Sequence, residues 1–286
     1  MQHQEMGKLY VVATPIGNLK DITLRALETL QMVDQVIAED TRHTALLLKH
    51  FSIQQTIISL HEFNERNRLA DIIEILLAGK SLALVSDAGT PLISDPGFHL
   101  VREAQAQGIT VVCVPGACAA IAALSVAGLP TDKFVFEGFL PVKSAARLER
   151  LQLLRNESRT IIFYEAPHRL LTVLQAMADV FGTTKKAVIA RELTKVHESI
   201  WVASLGELIN RFSSSPQALR GEIVLLLEGF DIKFNEGREV VPEQVLDILL
   251  ATLPLKQAVM LTSQITNERK NVLYELALSK KGISHD

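Results

Sequence analysis

Short runs of Val, Ile and Leu alternate with amphipathic segments along the first 130 residues of the chain. The apolar runs predict five strands, at residues 9–13, 35–38, 56–60, 81–85 and 109–114. Apolar residues at helical spacing predict helices over residues 23–33 and 66–78. Strands that alternate with helices are typical of a mostly parallel sheet covered on both faces. We therefore expect an α/β domain at the start of the chain.

A break at Gly128, Leu129 and Pro130 separates this pattern from the second half of the chain. Beyond it, strands are predicted at residues 133–137, 159–165, 186–192, 199–203 and 222–228, and helices at 147–155, 169–181 and 205–212. Consecutive strands favour hairpin pairing and a mixed sheet. Three short helices follow Pro242, either as a packing appendage or as an RNA-contacting module. The predicted domains are residues 1–130, 131–232 and 233–286.

Composition and charge narrow the class of protein. The chain has 286 residues, 48% of them hydrophobic, and contains neither an apolar run of membrane-spanning length nor a signal-peptide core, so we expect a cytoplasmic globular protein. Residues 1–137 contain ten Lys or Arg and fifteen Asp or Glu, whereas residues 138–200 contain ten and six. This asymmetry is expected if the acidic half binds a small ligand and the basic middle contacts a polyanion.

The two cysteines, Cys113 and Cys118, flank a Pro-Gly turn. No His or further Cys lies at metal-ligand spacing around them. We interpret both as small buried apolar residues and expect neither a disulfide nor a metal site.

The segment SDAGTPLISDPG, residues 86–97, follows the fourth predicted strand. It does not match GxGxxG, and no GxxxxGK[ST] occurs in the chain, which argues against the dinucleotide fold and the P-loop NTPases. The segment nevertheless brings a carboxylate, Asp87, to the carboxyl edge of a parallel sheet, where ligands of such sheets bind. A carboxylate there suits a ligand with a cationic group, with a turn cap as the alternative. We interpret Asp95 as the N-cap of the helix through Val101.

Other polar motifs also follow predicted strands. They are TPIGNLKDIT, AEDTRHT and VPGACAA in the first half, and YEAPHR and ARELTKVHE in the second. The tiny residues of VPGACAA either admit a bulky ligand or allow close helix packing, and packing is the favoured interpretation. Because all these loops lie at strand ends, we expect them to converge on one crevice between the domains.

These motifs, together with FEGFLP, resemble the bacterial 16S rRNA ribose 2′-O-methyltransferases of the tetrapyrrole methylase superfamily, over about Leu9 to Gly229. The resemblance implies the α/β, two-domain tetrapyrrole methylase fold of class III S-adenosylmethionine methyltransferases, with mixed sheets and a small C-terminal helical module. It also implies S-adenosylmethionine as the cofactor and methylation of a decoding-centre cytidine on its ribose. The implied partners are 16S rRNA or the small ribosomal subunit and a second copy of the chain.

The same resemblance assigns cofactor contacts. The precorrin enzymes of the superfamily have Gly-Asp-Pro in the third loop, where this chain has Gly89, Thr90 and Pro91, so either Asp87 or Thr90 takes the part of the family aspartate. The expected cofactor-binding residues are Pro15, Asp87, Ala88, Gly89, Thr90, Ile93, Ser94, Ala117, Tyr164 and Glu222.

Methyl transfer to a ribose hydroxyl also requires removal of a weakly acidic proton. The candidates for this step are Asp40, Glu165, Glu192 and Lys195, and the sequence does not rank them. The expected substrate-binding residues are Arg42, His43, Arg169 and Arg191, with an inter-loop salt bridge as the alternative for each arginine.

Two other functions remain open from the sequence. One is methylation of a tetrapyrrole, and the other is a non-catalytic S-adenosylmethionine-binding factor in ribosome assembly. The basic middle of the chain and the helical tail favour RNA over a tetrapyrrole, because a porphyrinoid requires neither.

Overall fold

The computed structural model describes residues 6–214, 220–230 and 241–280. Its first five strands are β1 (Lys8–Val12), β2 (Gln35–Ala38), β3 (Thr56–Ser59), β4 (Leu82–Val85) and β5 (Thr110–Val114). They form one sheet in the order β3-β2-β4-β1-β5, in which every pairing is parallel. All five predicted strands are confirmed to within one residue at each end.

Helices cover both faces of this sheet, as the alternating pattern predicts. They are α1 (Leu24–Met32), α2 (Thr41–His50), α3 (Glu65–Leu77) and α4 (Phe98–Ala106). Leu30 of α1 and Leu48 of α2 belong to the core on one face, and Ile72 of α3 and Leu100 of α4 belong to the core on the other. The sequence analysis did not predict α2, because its first residues were interpreted as a charged loop.

The interpretation of Asp95 as a helix N-cap is wrong. The N-cap of α4 is Gly97, with a φ of 119°, and its side chain offers no acceptor. Glu65 supplies one from α3, because its buried carboxylate accepts hydrogen bonds from the backbone N–H groups of His99 (2.9 Å) and Leu100 (3.2 Å). A charged acceptor from a neighbouring helix satisfies the same free N–H groups as a local cap.

The second sheet is mixed, as predicted. Its strands are β6 (Phe134–Phe139), β7 (Thr160–Glu165), β8 (Lys186–Arg191), β9 (Ser199–Ser204) and β10 (Ile223–Leu227), in the order β6-β7-β10-β8-β9. Among the described residues of this second sheet, only the pairing of β6 with β7 is parallel. β8 and β9 form the predicted antiparallel pair. Helices α6 (Ser144–Leu153), α7 (Leu170–Phe181) and α8 (Leu205–Ser214) contribute to the core that includes one face of this sheet.

The other face of the second sheet packs against helix α5 (Ala119–Val126), which follows the last strand of the first sheet. Ala120 and Ala123 of this helix are buried in the same apolar cluster as Val188 and Val224 of the second sheet. Their methyl side chains allow a close approach of the helix backbone to the strands. Of the tiny residues of VPGACAA, Ala120 thus serves helix packing, which is the interpretation that the sequence favoured, whereas Cys118 and Ala119 also line a cleft.

The chain falls into two compact units, residues 1–230 and residues 231–286. The described part of the second unit is a bundle of α9 (Pro242–Leu250), α10 (Leu255–Thr266) and α11 (Lys270–Lys280). Leu246, Val259 and Leu273 form its core. The three predicted helices are therefore confirmed. The division at Pro130 stays a prediction, and the proposed boundary at residues 232 and 233 lies outside the described residues.

The cysteines differ from their predicted environment. Cys113 is exposed, because it lies on β5 at the edge of the first sheet, and Cys118 is half-buried. Neither forms a disulfide. Within residues 6–214, 220–230 and 241–280, no group of three His, Cys, Asp or Glu residues could hold a metal ion. The same residues include no helix that is long and apolar enough to cross a membrane.

Candidate active site

The loops after β1 and β4 are hydrogen-bonded to each other at the carboxyl edge of the first sheet. The N–H of Thr14 donates to the carbonyl of Gly89 at 2.8 Å, and the N–H of Gly89 donates to the carbonyl of Thr14 at 3.1 Å. Gly89, Leu92 and Ser94 all have positive φ values, of 83°, 73° and 70°. Such conformations are uncommon outside glycine and concentrate at functional sites. The Gly- and Pro-rich segment therefore folds back along the sheet edge instead of entering a helix directly.

A first cleft of about 380 Å³ opens beside this loop, within the range of small-molecule sites. Ala88, Gly89, Thr90, Ile93 and Ser94 form one side, all of them predicted cofactor-binding residues. The opposite side comes from the second sheet and includes Tyr164, Glu165, Glu222, Ile223 and Val224. The cleft thus lies between the two sheets, and its apolar walls and few polar groups suit a ligand with a flat ring.

Glu165 is the most deeply buried carboxylate of the first cleft, with a relative exposure of 3%. Its Oε1 accepts a hydrogen bond from the N–H of Ala166 (2.8 Å) and lies 3.3 Å from Nε of Arg169. Its Oε2 is buried and has no hydrogen-bond partner among the described residues. Burial raises the pKa of this carboxyl above its ordinary value. Glu165 can therefore accept a hydrogen bond from an amino or hydroxyl group of a ligand.

Three carboxylates influence one another near the first cleft. Burial, together with the negative charge of Asp87, raises the pKa of Asp95 to about 6, although a hydrogen bond from Ser86 opposes the shift. Burial and the charges of Asp95 and Asp87 also raise the pKa of Glu39. Because like charges disfavour ionisation, a cationic group bound here would relieve the repulsion. Asp95 lines the cleft itself, so it faces such a ligand directly.

A second cleft of about 430 Å³ adjoins the first. His43, Leu46, Leu47 and His50 line it from one face of α2, because positions three and four apart share a helix face. Thr14, Pro15, Gly17, Asp87 and Lys195 line other parts of it. Among the lining residues, Ile16, Ala88 and Glu222 line both clefts. The two clefts therefore meet at these three residues.

The turn after β8 holds Lys195 at the second cleft. The Lys195 ammonium contacts Oε1 of Glu192 at 2.9 Å and Oε2 of Glu222 at 3.1 Å. Burial alone would lower the pKa of Lys195, but these two hydrogen bonds raise it above its ordinary value. Burial likewise opposes ionisation of Glu192, yet the N–H of Glu222 and the Lys195 ammonium lower its pKa. Lys195 is accordingly a cation at neutral pH.

Several predicted residues lie outside both clefts. Asp40 is the N-cap of α2, where a hydrogen-bonded ion pair with Arg42 lowers its pKa. Ala117 lines neither cleft, but its carbonyl accepts a hydrogen bond at 3.0 Å from the hydroxyl of Thr90, which lines the first cleft. Arg191 stacks its guanidinium over the Trp201 ring, 5.9 Å from the centroid.

Arg169 was expected to bind substrate, but its guanidinium is mostly occupied within the protein. Its Nη2 atom donates hydrogen bonds to the carbonyls of Leu140 (2.7 Å) and Pro141 (3.3 Å), and its Nε atom faces the Glu165 carboxylate. Its side chain is only 17% exposed. The salt bridge of Arg169 therefore lies within its own loop, and its contacts with another loop are hydrogen bonds to carbonyls, so the inter-loop salt bridge considered as the alternative does not form.

The sequence analysis missed several residues that line the first cleft. Asp95 was assigned to a helix cap, and Ile16, Phe139 and Leu193 were not singled out. Asp95 had a detectable signal, because it shares a Gly- and Pro-rich segment with Asp87. The three apolar residues lie in the motifs TPIGNLKDIT, FEGFLP and ARELTKVHE, but an apolar side chain in a loop looks like any core residue, so the motifs marked the loops and not these side chains.

Comparison with known proteins identifies the fold and the family of this chain. The profile of the family Tetrapyrrole (Corrin/Porphyrin) Methylases matches residues 8–209. The solved structure of the methyltransferase CobJ has a TM-score of 0.59 at 19% identity, over 78% of this chain and 94% of CobJ. The uroporphyrin-III C-methyltransferase of Thermus thermophilus, complexed with S-adenosyl homocysteine, has a TM-score of 0.55 at 16% identity, over 78% and 97%. The profile match over most of the chain shows that it is a tetrapyrrole methylase, and the solved structures share its fold.

Sequence relatives narrow the class further. The ribosomal RNA small subunit methyltransferase I of Pseudomonas aeruginosa is 55% identical over 97% of this chain and 99% of its own length. The protein of the same name from Escherichia coli O157:H7 is 49% identical over 98% and 99%. A second profile, the RsmI C-terminal HTH domain, matches residues 238–281. The chain belongs to the ribosomal RNA small subunit methyltransferase I family.

Asp95 provides a test of the carboxylate cluster. Its pKa is higher in the folded protein than in the unfolded chain, so the stability it contributes is present at low pH and is lost as pH rises through about 6. Asp95→Asn should therefore raise the free energy of unfolding of the ligand-free protein at neutral pH, by on the order of 1–2 kcal/mol once the shift is discounted for solvent screening at this partly exposed side chain. The gain should vanish near pH 4.

Urea unfolding at the two pH values measures this effect. The matched control is Asp71→Asn, because Asp71 is exposed on α3 and should change stability at neither pH. An Asp95→Asn variant that is less stable than the parent by the same amount at both pH values would refute the raised pKa of Asp95.

Proposed function

We propose that this protein transfers a methyl group from S-adenosylmethionine to the ribose 2′-oxygen of a cytidine in 16S rRNA, cytidine 1402 of the decoding centre. The proposed substrate is the RNA or the small ribosomal subunit in the cytoplasm. The names of the relatives support an rRNA substrate. The central structural support is the pair of clefts that meet at Ile16, Ala88 and Glu222, since methyl transfer requires adjoining cofactor and acceptor sites.

The residues of the first cleft fit S-adenosylmethionine. The apolar side chains of Ile16, Ile93 and Leu193 suit an adenine ring, and the free Oε2 of Glu165 suits an amino or hydroxyl donor. The repulsion between Asp95 and Asp87 suits the cationic groups of the cofactor. When bound, the cofactor supplies an electrophilic methyl group. The predicted cofactor-binding residues Pro15, Asp87 and Ala117 stay proposals, with Pro15 and Asp87 at the second cleft.

The second cleft fits a single nucleotide. His43 and His50 offer imidazole rings, and Leu19 and Leu46 offer exposed apolar surface, which together suit the faces of a nucleobase. An enzyme that modifies a stacked nucleotide must draw it out of the RNA, and a cleft of about 430 Å³ accommodates the extruded group. Arg42 lies beside His43 at the start of α2 with its side chain 89% exposed, where it can contact phosphate.

The chemistry of the product tests the proposed function. The protein is incubated with small ribosomal subunits and S-adenosylmethionine carrying a labelled methyl group, and the RNA is then hydrolysed in alkali. A methylated ribose cannot attack the adjacent phosphodiester, because its 2′-oxygen is no longer a nucleophile. One alkali-resistant labelled dinucleotide containing cytidine is expected. Label confined to mononucleotides would indicate base methylation, and the absence of label in RNA would refute the proposal.

Arg42 tests the position of the RNA. Arg42→Ala should weaken RNA binding and reduce the slope of log affinity against log salt by about one unit, because one phosphate contact is lost. Filter binding at several salt concentrations measures the slope. Arg66→Ala is the matched control, because Arg66 is exposed on α3 and lines neither cleft. Equal slopes for Arg42→Ala and the parent protein would show that Arg42 contacts no RNA phosphate, which would contradict the proposed RNA position at this edge of the second cleft.

We also propose that the chain forms a homodimer, as the resemblance to the family implies. Exposed apolar side chains such as Leu24 of α1 and Ile121 of α5 are available for such a contact. A two-fold dimer buries the same patch on each copy. Light scattering should report twice the chain mass of 31.5 kDa. A single-chain mass at micromolar concentration would exclude the dimer.

A further inference from the structure

We propose that Glu222 accepts the proton of the ribose hydroxyl during methyl transfer and that Lys195 positions its carboxylate. This inference rests on the proposed function and assigns the proton acceptor within that site. Glu222 was expected from the sequence only as a cofactor contact.

The location of Glu222 is the first argument. Of the described residues that line the two clefts, Ile16, Ala88 and Glu222 line both, and Glu222 is the only one of the three with a titratable side chain. The acceptor oxygen must reach the methyl group where the cofactor and acceptor sites meet. A proton acceptor must lie within hydrogen-bond reach of that same oxygen. Glu222 is the carboxylate that satisfies this requirement.

The contacts of Glu222 are the second argument. Its Oε2 contacts the Lys195 ammonium at 3.1 Å, and its backbone N–H donates to Oε1 of Glu192 at 2.8 Å. Glu192 in turn contacts the same ammonium through Oε1. The ammonium is thus shared between two carboxylates, and the side chain of Glu222 is 70% exposed. Lys195 fixes one oxygen of Glu222 and leaves the carboxylate open to the junction.

The backbone holds Lys195 in place. Glu192 and Thr194 have positive φ values of 52° and 66°, which non-glycine residues adopt at a cost. A Cβ atom on Gly17 would lie 2.4 Å from Cγ of Lys195, and one on Gly221 would lie 2.3 Å from Cδ of Glu192. The two glycines therefore allow the loops to close around the Lys195 and Glu192 side chains. A strained turn enclosed in this way gives a preorganised charge, not a mobile surface lysine.

The other candidates are less suited to accept the proton. Asp40 is paired with Arg42 and lines neither cleft. Glu165 lines only the first cleft, and Asp87 lines only the second, with its Oδ1 accepting the N–H of Asp40 at 3.0 Å. Lys195 is cationic at neutral pH, because hydrogen bonds to two carboxylates raise its pKa, and an ammonium has no lone pair to accept a proton.

The step balances as follows. A lone pair of the 2′-oxygen forms a bond to the methyl carbon while the electron pair of the carbon–sulfur bond passes to sulfur. The sulfonium becomes a neutral thioether, and the oxygen loses its proton to the Glu222 carboxylate. The resulting carboxylic acid returns the proton to solvent, to which the side chain is exposed. The Lys195 ammonium stays charged throughout and stabilises negative charge on Glu222 between turnovers.

The test compares Glu222→Gln with the parent protein on small ribosomal subunits at saturating cofactor. The side chain is exposed, so the substitution should not affect folding. We expect kcat to fall by roughly 100- to 10,000-fold, the range for loss of a general base, with the calorimetric affinity for S-adenosylmethionine unchanged. Lys195→Met should lower kcat by a smaller factor without changing that affinity. Glu149→Gln is the control, because Glu149 is exposed on α6 and lines neither cleft.

The pH dependence separates a proton acceptor from a structural residue. Between about pH 7 and about pH 9, the residual rate of Glu222→Gln should rise roughly tenfold per pH unit, because only hydroxide then removes the proton, whereas the parent rate should stay level. The charged or titratable residues that line the two clefts together with Glu222 are His43, His50, Asp87, Asp95, Cys118, Tyr164, Glu165 and Lys195. Glu192 lies beside Glu222 through the shared Lys195 ammonium. The same pH series on Asp87→Asn tests whether Asp87, and not Glu222, accepts the proton.

The outcomes are distinguishable. If the parent protein methylates the ribose and Glu222→Gln retains kcat, the assignment of Glu222 is refuted while the proposed function stands. Weaker cofactor binding with an unchanged kcat would return Glu222 to the role of a cofactor contact. A rate loss and a steep pH dependence confined to Asp87→Asn would transfer the role to Asp87. If the parent protein places no label on ribose, the proposed function fails, and the assignment fails with it.

Discussion

The close packing of α5 on the second sheet is the contact on which the site depends. This helix continues from the last strand of the parallel sheet, yet Ala120, Ala123 and Leu124 are buried against strands of the mixed sheet. The helix therefore fixes the distance between the carboxyl edge of one sheet and the face of the other. Cys118 and Ala119, at its first turn, line the first cleft. A larger side chain at Ala123 would separate the two sheets and widen the cleft, because a packed core does not absorb extra volume.

Electrostatics divide the site into two regions. Carboxylates line both clefts: Asp87 lines the second cleft, Asp95 lines the first and Glu222 lines both. The cationic side chains belong to the second cleft and its edge, with Lys195 lining it in contact with Glu192 and Glu222, and Arg42 exposed at the start of α2. This arrangement suits a cationic methyl donor on the acidic side and a phosphate chain on the basic side. It also explains why the net charge of the chain reveals little about its partner, since the two regions offset each other.

Much of the fold could be predicted because apolar periodicity records which residues are buried. All ten strands in the described residues lie close to their predicted ranges, since most of them are short runs of Val, Ile or Leu and β6 is rich in Phe. Helix α2 was missed because TRHT at its start is polar and His43, Leu46 and His50 face a cleft instead of the core. A helix that serves a binding site on one face lacks the full apolar stripe on which such a prediction depends.

The sequence by itself determined which loops contain the functional groups, because Gly, Pro and charged residues collect at the ends of buried strands. It could not determine what each charged side chain does. Asp87 and Asp95 lie in one short segment and look alike in the sequence, but the tertiary structure directs Asp95 into the first cleft. The capping of α4 falls instead to Glu65, which lies thirty residues before Asp95 in the chain. Likewise Arg169 is occupied by Glu165 and two carbonyls, whereas Arg42 is exposed. Hydrogen bonds and ion pairs between distant residues depend on positions in space, which only the packing of the two sheets decides.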